Sequence, residues 1–176
     1  MKNRLLAFVS ALLCAFAVGA SAGEQAPEPA PAEGEARLEP HQNRWLIQTS
    51  IWTDHFNTST PHENQLNLVG VEWWAPGNWL MGAAAFRNSF RQPSQYFYVG
   101  KLWRPWDAYP LVHVKLTGGL LHGYKDQYQD RVPLNSKDTN IAPLLLPSIG
   151  LSGNRFTTDF VFFGQGALVT VGVLVP

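Results

Sequence analysis

His55, Asn88 and Ser89 are the side chains of this 176-residue chain whose types and places could together do acyl chemistry. An imidazole titrates near neutrality and can accept a proton while a hydroxyl oxygen attacks an ester carbonyl. A histidine beside a serine is the smallest general-base pair, and an amide such as that of Asn88 can donate to the developing oxyanion or orient the histidine. Each has a plainer reading, a hydrated rim histidine for His55 and ordinary turn chemistry for Asn88-Ser89. His41, His62 and His113 lack metal-ligand spacing, so neither a metal nor a cofactor is expected.

Residues this far apart in sequence meet only if a fold brings them together. Gly82–Trp103 reads as two alternating arms joined by a polar, Pro-containing loop, with Phe86-Arg87-Asn88-Ser89 at the tip of the first arm. From Asn43 onward, segments of about ten residues alternate with turn-rich breaks, the spacing of a transmembrane β-meander. Strands are predicted near 44–56, 65–75, 79–89, 95–104, 111–124, 141–151, 155–163 and 167–175. The even number suits a closed, all-β, eight-stranded antiparallel transmembrane barrel of the outer-membrane type.

The fifth segment fixes a facing. Val112, Val114, Leu116, Gly118 and Leu120 alternate with His113, Lys115, Thr117 and Gly119. A lysine facing lipid at mid-depth costs roughly 2–4 kcal/mol, so Lys115 should point into the lumen. In this register Trp45, Trp73, Trp74, Trp79, Trp103 and Trp106 fall at the end with the short turns, as an aromatic girdle would. Trp52, Phe56, Phe86, Phe90, Tyr96 and Tyr124 lie toward the other rim. With the amino terminus on the short-turn side, odd strands deliver Asp54 and His55, then Arg87, Asn88 and Ser89, then His122 to that far rim. Pro143 and Pro147 lack the N–H a ladder needs, so pairing beside strand six should open locally. Gly82 and Ala84, with Gly70, Gly100 and Gly118 in neighbouring strands, either make room for an alkyl chain or relieve crowding in a narrow barrel.

Residues 1–22 carry Lys2 and Arg4, an apolar run and an Ala20-Ser21-Ala22 cleavage pattern, and read as a secretory signal peptide. Leu13 is too bulky for Cys14 to begin a lipoprotein. Removing the signal removes the only cysteine and leaves a nearly neutral chain without the basic footprint of a nucleic-acid binder. Residues 23–42 are Pro-, Ala- and Glu-rich and read as a flexible periplasmic leader, which leaves 43–176 for the barrel.

Phe86-Arg87-Asn88-Ser89, Trp103-Arg104-Pro105 and the run Pro143-Leu144-Leu145-Leu146-Pro147, followed by Ser148 and Gly150, together resemble the PagP-type lipid A palmitoyltransferases over roughly Trp52–Gly164. That resemblance implies a monomeric eight-stranded outer-membrane barrel. It would move a palmitoyl chain from a glycerophospholipid donor to lipid A, without a cofactor, and would admit lipid beside the prolines. Ser89 matches the family's serine. Asn88 stands at its aspartate position, and His55 lies two residues beyond Thr53, which aligns with its histidine. A step of two keeps the same strand face. The alternatives are an acyl hydrolase on the same scaffold, with water as acceptor, and a non-catalytic structural or adhesive barrel.

Overall fold

The computed structural model describes residues 43–56, 67–164 and 166–176. The expected signal peptide (1–22) and leader (23–42) lie outside the described residues, as do His41 and His62. The strands are β1 Arg44–His55, β2 Val69–Trp74, β3 Trp79–Arg87, β4 Pro93–Trp103, β5 Val112–His122, β6 Ile141–Ser152, β7 Phe156–Phe163 and β8 Gly166–Val175. Each pairs antiparallel with the next, and β8 returns to β1 to close an eight-stranded barrel. Closure leaves no open edge, which a single sheet of this length would otherwise present.

Alternation sorts the side chains into two environments. Lys115, Glu72, Asp159 and His113 are all buried in the lumen, whereas Val69, Phe97, Leu145 and Phe156 point outward and are more than half exposed. A barrel dissolved in water buries its apolar face; this one exposes it and keeps charges inside, the arrangement of a transmembrane barrel. The charges form one layer across the lumen. Lys115 Nζ lies 3.3 Å from Glu72 Oε1 and 3.0 Å from Asp159 Oδ2. His113 Nε2 lies 2.8 Å from Asp159 Oδ1, and the Tyr98 hydroxyl donates to Glu72 Oε2 at 3.0 Å. Mutual neutralisation is what makes a lysine tolerable there.

The tryptophan girdle forms with one exception. Trp45, Trp79, Trp103 and Trp106 are exposed at the short-turn end, and the rings of Trp45 and Trp73 are 6.4 Å apart. Trp74 is instead buried, and its indole N–H donates to Glu72. Adjacent strand residues cannot share a face, so Trp73 and Trp74 had to separate, and Trp74 shares the inward face of Glu72.

The two prolines act on one side of β6 only. Its ladder with β5 is continuous from Val112↔Leu151 to His122↔Ile141, through Leu116↔Pro147 and Leu120↔Pro143. Its ladder with β7 covers only Ser148–Ser152. Ser152 N–H donates toward β5, to Leu111 O, while Gly153 N–H donates to Phe156 O. Alternation therefore aims the backbone of Pro143 and Pro147 at β7, where each leaves a donor missing. The β6–β7 seam is unpaired from Ile141 to Pro147, at the long-loop end.

Candidate functional site

His55 reaches the site because β1 contains one residue too many. Against β8, Ser50 pairs with Thr170 and Trp52 with Val169, which leaves Ile51 as a bulge. A bulge inverts the alternation beyond it. Leu46 is inward before it, whereas Thr53 is inward after it, with His55 on the same face two residues later. Trp52, freed to face outward, stacks on Phe160 at 6.2 Å. Without the extra residue His55 would point at the bilayer.

Ser89 arrives by a turn. Strand β3 ends at Arg87, which pairs with Pro93, two residues earlier than predicted, and β4 begins correspondingly early. Asn88 is the reason. Its side-chain oxygen accepts from the backbone N–H of Phe90 at 2.9 Å and of Gln92 at 3.0 Å. The backbone closes the same turn through Asn88 N–H to Gln92 O at 2.9 Å and Arg91 N–H to Asn88 O at 2.8 Å, with Arg91 left-handed at φ 64°. Asn88 is 1% exposed, and its amide nitrogen faces Gln92 Oε1 and Gly123 O at 3.4 and 3.5 Å. It was expected to orient His55 or to donate to an oxyanion; in this geometry it builds the turn that presents Ser89.

The two candidate reacting groups meet. Ser89 Oγ and His55 Nε2 are 2.8 Å apart, although β1 and β3 are separated by β2. The Phe163 ring approaches the imidazole edge-on at 5.4 Å and walls the pair on its β7 side. Phe90 stacks on Tyr128 at 3.9 Å and meets Tyr124 edge-on, tying the Ser89 turn to the segment after β5. Burial in that cluster pushes the Tyr124 hydroxyl above the usual phenol range. Phe90 and Tyr124 stand at the rim expected of them, whereas Phe163, Tyr128 and the bulge escaped the sequence reading; the signal for the bulge was the out-of-phase Ile51-Trp52 pair.

Two other groups predicted for this rim stand apart. His122 is on the outward face of β5, with Nδ1 3.3 Å from the Oε1 of its cross-strand neighbour Gln95. Asp54 accepts from the backbone N–H of His55 at 2.8 Å. Among the described residues no cluster of His, Cys, Asp or Glu is arranged to hold a metal.

Beneath the pair the lumen is apolar and then closed. Leu121, Leu144, Leu146 and Phe86 pack above the rings of Tyr96 and Tyr98, which stack at 4.9 Å. Their hydroxyls anchor on different walls, Tyr96 on Leu144 O at 3.2 Å and Tyr98 on Glu72. A Cβ on Gly82 would sit 2.6 Å from the Tyr98 hydroxyl, so the volume this glycine releases is filled by the protein's own ring. A hollow of about 540 Å³ is a shallow apolar groove on the outer wall among Val71, Met81, Ala83, Phe97 and Val99, away from His55 and Ser89. An alkyl chain held below the pair must therefore move Phe86, Leu144 or Leu146 aside.

No protein-family model matches the chain, and no curated protein does. Among solved structures it is similar to a chain described under de novo design of transmembrane β-barrels, at 10% identity and a TM-score of 0.44, over 76% of this chain and 94% of that one.

Proposed function

We propose that this barrel is an outer-membrane acyltransferase that moves a palmitoyl chain from a glycerophospholipid to lipid A. The observation that carries the reading is the 2.8 Å approach of Ser89 Oγ to His55 Nε2, made by strands that are not neighbours. An imidazole nitrogen there can take the proton of an oxygen nucleophile, and the hydroxyl beside it can donate to the developing oxyanion or itself attack.

The donor's acyl chain lies in the apolar upper lumen, with its ester carbonyl at the pair. The acceptor's hydroxyl oxygen attacks that carbonyl while His55 takes its proton. The tetrahedral intermediate, held by the Ser89 hydroxyl, collapses as the bond to the glycerol oxygen breaks. The imidazolium then returns the proton to that oxygen, leaving acylated lipid A and a lysophospholipid. Alternatively, Ser89 attacks first and an acyl-serine precedes transfer. Water in place of the acceptor hydroxyl would make the same pair a hydrolase. Lipid reaches the lumen sideways through the unpaired β6–β7 seam, beside Phe163 and the candidate pair.

The test is mass spectrometry of lipid A from cells expressing the chain. Wild type is expected to add one hexadecanoyl group, and His55→Ala and Ser89→Ala to add none. Unchanged lipid A in wild-type cells, or addition that persists in both variants, contradicts the proposal.

A further inference from the structure

The shallow hollow of about 540 Å³ on the outer wall opens toward the bilayer, and its shape follows from the alternation. One outward row runs Val71, Ala83, Phe97 across paired strands, and the next runs Met81, Val99, Gly118. Ala83 stands low between Val71 and Phe97, and Gly118 stands low beside Val99. The larger side chains are therefore banks and the small ones a floor. A Cβ on Gly118 would meet nothing nearer than Leu145, at 3.5 Å, so the floor there is open from the lipid side.

The next outward pair toward the short-turn end is Trp79↔Lys101. The Lys101 ammonium lies 5.2 Å from the centre of the Trp79 ring, within cation–π range. Among the described residues no carboxylate pairs with it. A lysine on the lipid face is tolerated only near the interface, where the tryptophan girdle already stands. The cation thus sits at headgroup level, and the groove climbs from it into the hydrocarbon. Lys101 to Phe97 is about 13 Å of strand, comparable to one leaflet's share of an apolar band about 25 Å tall.

We propose that this groove, with Lys101 at its foot, binds an anionic phospholipid of the leaflet on the short-turn side. One acyl chain lies over Ala83 and Gly118, and the phosphate meets the ammonium. The occupant follows from the chemistry of the two ends: an apolar groove facing hydrocarbon takes an alkyl chain, and an ammonium at headgroup level without a protein carboxylate beside it takes an anionic headgroup. The site lies on strands that do not border the β6–β7 seam. It depends on the barrel's placement in a membrane and not on acyl transfer.

Native mass spectrometry of the detergent-purified full chain tests this, with equal amounts of dioleoyl phosphatidylglycerol and zwitterionic dioleoyl phosphatidylcholine. Wild type is expected to retain phosphatidylglycerol about fivefold better, the effect of one lysine at an anionic surface. Lys101→Gln should abolish that preference and Lys101→Arg should keep it. Ala83→Leu combined with Gly118→Leu fills the floor from the lipid side and should lower retention of both lipids by about fivefold or more. Heat-modified gel mobility checks that each variant is folded, and lipid A acylation should be unchanged in Lys101→Gln. No preference in wild type, an unchanged preference in folded Lys101→Gln, or undiminished retention in the folded leucine variant overturns the site.

Discussion

Asn88 commits its side-chain oxygen to two backbone N–H groups of its own turn, a task that needs an acceptor and no particular charge. A carboxylate at this position would make the same two bonds that present Ser89, and would lose only the long contacts of the amide nitrogen to Gln92 Oε1 and Gly123 O at 3.4 and 3.5 Å. Asn88→Asp should keep at least about a tenth of wild-type transfer. Asn88→Ala should strand buried donors at about 1–3 kcal/mol and lower transfer by roughly 10²-fold through misplacement of the hydroxyl. Rates on purified protein and urea unfolding in vesicles check both outcomes. Asn88 and Ser89 were legible in the sequence because Arg87, Asn88 and Ser89 set a cation, an amide and a hydroxyl at the end of an apolar alternation, and His55 because strand one ends at the same rim. The division of labour between them was not, since spacing cannot say which backbone groups an amide will find.

Strand existence and facing were legible because a period of two runs through the segments, broken only at the β1 bulge among the described residues. Lys115 among valines oriented β5, and from it the rest of the lumen followed. What alternation could not announce is its own interruption. Ile51 and Trp52 stand side by side out of phase, but only the register against β8 shows that Ile51 is the extra residue. Deleting Ile51 should restore continuous alternation and turn His55 outward. The expected outcome is a folded, heat-modifiable barrel that adds no palmitate; transfer that survives the deletion would show that the bulge does not place the histidine. The open seam was half legible. The prolines announced missing donors, but the direction in which those donors were missing depended on the phase of the β5–β6 ladder.

Across the whole molecule, the lumen is divided into an apolar outer half and an inner half crossed by tyrosines and an ion layer. Lys115 holds Glu72 and Asp159 together. Lys115→Met would leave two buried carboxylates without their cation and should cost about 3–5 kcal/mol in urea unfolding. The stacked rings of Tyr96 and Tyr98 lie above that layer, so the wild-type barrel in a planar bilayer should show no stepwise ion current. Neither closure was visible beforehand, because the small residues that suggested free space were read without the rings that fill it.

The central claim is that His55 and Ser89 together pass an acyl chain between two lipids. It is tested most directly with purified barrel in vesicles containing a phospholipid with a deuterated palmitoyl chain and lipid A as acceptor. Mass spectrometry should find the label on lipid A, with one lysophospholipid formed per chain moved, and neither product with Ser89→Ala. Label appearing as free fatty acid, or transfer undiminished in Ser89→Ala, would contradict it.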